Sequence, residues 1–105
     1  MVSFQGMGQA ALGAVPALGE LTDRILFGEV WERAGLGKRE RSLVTVACLL
    51  ALHPPEQLGF HLRAARENGV TRQELEEVVT HLAFYAGWPA AATAARLLGE
   101  PDATS

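Results

Sequence analysis

A single cysteine, Cys48, stands among the 105 residues. One thiol excludes an intramolecular disulfide, a CxxC redox pair and a thiolate-rich zinc site by counting alone, and makes a reducing compartment the natural setting. Clustered basic charge is equally scarce. The formal net charge is -3, and the densest basic stretch, Lys38-Arg39-Glu40-Arg41, is interrupted by an acid. Phosphate binding needs a basic face, so nucleic acid is not an expected partner. The longest apolar run, Leu43 to Leu52 with Thr45 inside it, falls short of the roughly 20 residues that span a bilayer. Met1 to Gly19 lacks the cationic start and sustained apolar stretch of a signal peptide. The expected location is the cytoplasm, with no membrane partner. Nowhere do four or more alternating positions sit between turn signals, so no strand is expected.

What is present is helix-forming. Apolar residues make up 49% of the chain and charged residues 20%, the balance of one globular domain over residues 1–105. Gly6, Gly8, Gly13 and Pro16 disfavour regular structure before about residue 16, where a mobile or loosely docked arm is expected. Leu18, Leu21, Ile25, Leu26 and Val30 recur at helical spacing over Ala17 to Arg33, and Ala34-Gly35-Leu36-Gly37 ends that helix. A second helix, Lys38 to Leu52, is apolar on nearly every face after Ser42. It is the expected buried central rod, with Cys48 inert inside it. Pro54 and Pro55 suit the first turn of a third helix, whose stripe is Leu58, Leu62 and Ala65 and whose end is Asn68-Gly69. Thr71-Arg72-Gln73-Glu74 matches a capping box opening a fourth, with Leu75, Val78, Val79, Leu82 and Ala86 inward. Gly87-Trp88-Pro89 breaks the chain before an alanine-rich fifth helix that stops at Gly99, leaving a frayed tail from Glu100 to Ser105. The expected fold is all-α, an antiparallel helical bundle of about five helices. Its apolar faces exceed what one small bundle covers, which points to oligomerisation.

Few residues depart from this pattern in ways that carry chemistry. Taking Leu58 as zero at about 100° per residue, Leu62 falls near 40°, Ala65 near 340° and His61 near 300°, so an imidazole interrupts an apolar face. A core histidine satisfied by a backbone carbonyl is the plain alternative. Arg63 points elsewhere on the same helix. Glu74, Val78, His81 and Tyr85 form a second stripe on the fourth helix, fit to line a cleft or to be a solvated flank. Glu29 and Trp31 end the first helix as a surface acid and an amphipathic aromatic. Arg39 and Arg41 stand in the second helix's first turn, where cations oppose the helix dipole and call for a compensating anion. No histidine-carboxylate spacing marks a metal site, and no strand-turn-helix elbow exists for a nucleophilic serine.

Phe27-Gly28-Glu29-Val30-Trp31, Arg41-Ser42-Leu43-Val44-Thr45, His61-Leu62-Arg63-Ala64, Asn68-Gly69-Val70-Thr71 and the run from His81 to Pro89 together resemble the carboxymuconolactone decarboxylase family. The resemblance covers about Phe27 to Leu98. It implies an alkylhydroperoxidase-like fold assembled into rings, typically hexamers, with active sites near subunit contacts. It also implies decarboxylation of 4-carboxymuconolactone, a small anionic lactone, to 3-oxoadipate enol-lactone in aromatic-compound breakdown. The wider family's dithiol peroxidases carry CxxC one turn before a histidine. Aligning that histidine with His61 puts the cysteine positions at Pro54 and Gln57, so that mechanism is not available here. No metal or organic cofactor is called for, because the departing carboxylate's electrons pass through the ring double bond into the lactone carbonyl. Such chemistry needs cations, a hydrogen-bond donor and a general acid. The expected roles are Arg41 or Arg63 on the substrate carboxylate, His61 or His81 protonating the dienolate, Tyr85 donating to oxygen, Glu29 orienting a histidine, and Trp31 beside the substrate. The alternatives are another enzyme of this fold, a lactone isomerase or a peroxiredoxin-like antioxidant without CxxC, and a non-catalytic oligomeric subunit.

Overall fold

The computed structural model of the chain describes residues 4–100. Among them are six α-helices, one π-helical segment and no strand. The chain divides into two compact units, residues 1–38 and 39–105.

In the first unit the segment expected to be a loose arm carries helix α1 (Met7–Leu12), which packs on α2 (Pro16–Leu21). The N-cap of α1 is Gly6, which has no side chain to offer. Asp23 serves instead, its carboxylate accepting from the backbone N–H groups of Gly8 at 2.6 Å and Gln9 at 3.0 Å. A carboxylate there satisfies two orphan donors and opposes the positive end of the helix. Close approach of α1 and α2 depends on Gly8: a Cβ on it would lie 2.6 Å from the Gly19 carbonyl oxygen. Phe4 anchors the start of the unit. Its ring is buried, stacked on Phe27 at 4.3 Å and edge-on to Trp31 at 4.9 Å.

The expected first helix is realised in two parts. After α2 the chain widens into a π-helix over Thr22–Val30, and the Trp31 N–H donates to the Leu26 carbonyl five residues back. Nine residues of π-helix is long for a conformation that usually appears as a single wide turn. The expected apolar stripe, Leu18, Leu21, Ile25, Leu26 and Val30, is exposed along both parts.

The second unit is built on α3 (Lys38–Leu52), α4 (Pro55–Glu67), α5 (Arg72–Ala86) and α6 (Trp88–Gly99). Its core is Val46, Leu50, Leu58, Leu62, Ala65, Val70, Leu75, Ala90 and Ala94. Both α4 and α5 pack against α6, whose alanines allow close helix approach. Helix α3 is not the buried rod expected of it. It buries one stripe, Ser42, Val46 and Leu50, while Val44, Cys48 and Leu52 are exposed. Residues four apart share one face of a helix, so this stripe turns a single face to the core.

The junctions follow the sequence closely. His53 ends α3 with φ 67°, a left-handed conformation uncommon outside glycine. It is held there by its N–H to the Leu49 carbonyl at 2.8 Å and by its Nε2, 2.7 Å from Thr93 Oγ1 on α6. Asn68 caps α4, and its buried amide donates to the buried Ser42 hydroxyl on α3 at 3.0 Å. Gly69 follows at φ 99°, and the Val70 N–H returns to the Ala65 carbonyl, closing the helix as a Schellman-type end. Thr71 and Glu74 form the expected capping box in both directions, at 3.1 Å and 2.9 Å. Gly87, at φ 101°, separates α5 from α6. The expected frayed tail lies outside the described residues beyond Glu100.

Candidate active site

Helix α4 places His61 where the angular reading puts it, on the inward side between the buried Ala64 and Ala65. The imidazole is half-buried, its Nδ1 shielded from solvent, and its ring meets Phe60 edge-on at 4.9 Å. Burial pushes its pKa down to about 4, because desolvation disfavours the imidazolium. At neutral pH this residue is an uncharged ring with one N–H donor and one lone-pair acceptor.

Arg41, on the first turns of α3, is also half-buried and its Nε is shielded from water. Its backbone carbonyl accepts from Thr45 Oγ1 at 2.7 Å, a local bond that holds the turn. The neighbouring cation, Arg39, has the compensating anion its position calls for: its guanidinium forms an ion pair with Glu74 on α5. Backbone N–H donation from Thr71, then the Arg39 guanidinium, hold the Glu74 carboxyl below the usual carboxylate range. The same contact raises the Arg39 pKa. Glu74 is thereby engaged in capping and pairing, and it does not extend the stripe toward a cleft.

His81 and Tyr85 come together as one turn of α5 predicts, with ring centroids 5.0 Å apart. Both are exposed, Tyr85 at 78%. Arg63 stands about 200° round α4 from His61, two residues at about 100° each. It therefore opens on the opposite side, into a cleft of about 440 Å³ lined also by Gly59, Leu62, Arg66, Arg72 and Leu97. Glu29 and Trp31 belong to the first unit. Glu29 is exposed on the π-helical segment. Trp31 is only 5% exposed and packs against Phe4, so its ring fills a core instead of standing as a surface aromatic.

Arg66 and Arg72 escaped the sequence reading. The signal was available for the first, since Arg63 and Arg66 share one face of α4 at three-residue spacing. No spacing rule brings Arg72, across a helix boundary, to the same wall. Cys48 also departs from expectation: it is exposed on α3. Among the described residues no three His, Cys, Asp or Glu side chains group so as to hold a metal ion. No helix among them is long and apolar enough to cross a membrane.

Residues 16–100 match the carboxymuconolactone decarboxylase family, which extends the likeness upstream of Phe27 through α2. The chain is 49% identical over 77 residues to a 4-carboxymuconolactone decarboxylase of Acinetobacter baylyi, covering 73% of this chain and 58% of that protein. It is 41% identical over 70 residues to a nitrosuccinic acid decarboxylase of Metarhizium robertsii, covering 67% of this chain and 49% of that protein. The matched region thus spans about half the length of these curated relatives.

Proposed function

The chain belongs to the carboxymuconolactone decarboxylase family, and from that membership we propose that it is a carboxy-lyase that removes CO₂ from a small carboxylated substrate of the 4-carboxymuconolactone type without metal or organic cofactor. The observation that carries the reading is His61, a half-buried imidazole in the apolar wall of α4 with its pKa displaced by desolvation. Displaced titration in a packed wall is a mark of proton-transfer residues.

The chemistry assigns each group a task. The bond from ring carbon to carboxylate breaks, CO₂ departs, and the electron pair moves through the ring double bond onto the lactone carbonyl oxygen. A proton must then reach carbon. His61 begins neutral, and an arriving dianion raises its proton affinity, because an opposite charge nearby favours the imidazolium. It takes that proton from solvent as the dianion binds, delivers it to carbon, and returns to the neutral ring with which it began. Arg41, shielded at Nε, is the guanidinium we assign to the substrate carboxylate, where a charge-assisted pair in a partly dry wall is strong. Arg63, the other candidate, faces away from His61. His81 and Tyr85 are the donors left for the developing oxyanion.

The exposed Phe84, Tyr85 and Trp88 favour a homo-oligomer, which we place at a hexamer, working in the cytoplasm. The two relatives are named for different acids, so 4-carboxymuconolactone and nitrosuccinic acid are the two substrates to test. With the preferred one, spectrophotometric turnover should fall by about 10² or more in His61→Ala, the usual contribution of a general acid or base. Near wild-type turnover in both His61→Ala and His81→Ala would overturn the assignment.

A further inference from the structure

We propose that the cleft between α4 and α6 is a binding site for a small organic anion carrying two or three carboxylates, separate from the His61 face of α4.

Its volume, about 440 Å³, lies in the range of small-molecule pockets. Arg63 and Arg66 enter from α4, and Arg72 enters from the first turn of α5. Among the described residues, three guanidinium groups line the cleft with one carboxylate, Glu100, and that carboxylate is paired with Arg96 at 2.9 Å. Arg72 is paired with Glu76 at 3.2 Å, while Arg63 and Arg66 take part in no ion pair among the described residues. The wall therefore carries a surplus of planar, forked donors suited to carboxylates. Its floor is apolar, made by Leu62, Leu97 and Leu98. Charge alone would recognise any oxyanion; the floor adds preference for one with a carbon stem. The cleft keeps its depth because position 59 is glycine. An ideal Cβ there would stand 3.7 Å from both Arg63 Nη1 and Leu97 Cδ2, ordinary contact, so one carbon fits but a longer side chain enters the opening.

The cleft is independent of the catalytic reading because α4 separates the two faces. Arg66 stands at about 140° from His61 on the helix, and Arg63 at about 200°.

Calorimetric titration of the full chain at low salt, with citrate, inorganic phosphate and acetate as probes, tests this. Citrate should bind and weaken as salt is raised, phosphate should bind less tightly, and acetate should not register. The double variant Arg66→Gln/Arg72→Gln should lose at least about tenfold in citrate affinity, as removal of charge-assisted contacts implies. Gly59→Leu should weaken it too, and Gly59→Ala should not. His61→Ala should bind citrate as wild type does, whatever its turnover. Circular dichroism identifies any variant that does not fold, and the double variant decides if Gly59→Leu fails. No citrate binding at about 10 mM, an unchanged affinity in the folded double variant, phosphate binding as tight as citrate, or loss of citrate binding in His61→Ala would each overturn the proposal.

Discussion

Burial gives His61 a second, measurable consequence. Its pKa in the folded chain, about 4, lies below its ordinary value of 6.5, so the unfolded chain binds the extra proton first as pH falls. Stability linked to this residue is therefore whole above about pH 6.5 and is lost progressively toward pH 4. Chemical denaturation across that range should show wild type losing more stability than His61→Leu. Equal pH slopes in the two proteins would mean that the ring is solvated as freely in the folded chain as in the unfolded one. Glu74 behaves with the opposite sign. Its carboxyl is held low by the Thr71 N–H and by Arg39, so its contribution is present above the ordinary carboxylate range and fades as acid protonates it.

The helices owe their ends to a few side chains and backbone conformations. The Thr71–Glu74 box satisfies donors at the start of α5, and the same Glu74 ties that start to α3 through Arg39. Thr71→Ala should cost about 0.5–2 kcal/mol in urea denaturation, the usual size of an N-cap loss. Glu74→Gln should keep much of the cap while losing the ion pair. At the other end of the chain, Gly8→Ala should detach α1 from α2, at roughly 1–3 kcal/mol for forcing a carbon into a packed contact. Faster amide exchange of the Gly8 and Gln9 N–H groups, which Asp23 accepts, would report it. Unchanged protection would show that the contact can relax.

At the scale of the whole molecule, many large apolar side chains among the described residues stay uncovered. Phe84 and Trp88 meet edge to face at 5.3 Å beside an open apolar groove on α5 and α6, and α3 leaves Val44 and Leu52 exposed. The expected outcome in light scattering is a stable multimer that Phe84→Glu/Trp88→Glu reduces in mass; an unaltered mass distribution would move the interface elsewhere.

The helices from residue 38 onward were legible because their boundaries are local. Proline at a first turn, glycine at positive φ and a threonine three residues before a glutamate act over a single turn of chain, so sequence alone determined α3 to α6 and the inward position of His61 on α4. The π-helical widening after Leu21, the docking of α1 through Gly8, the use of Asp23 as a distant cap and the gathering of Arg63, Arg66 and Arg72 round one cleft were not legible. Each depends on groups far apart along the chain meeting in space, or on small differences between competing hydrogen-bond patterns, and only the tertiary structure decides those.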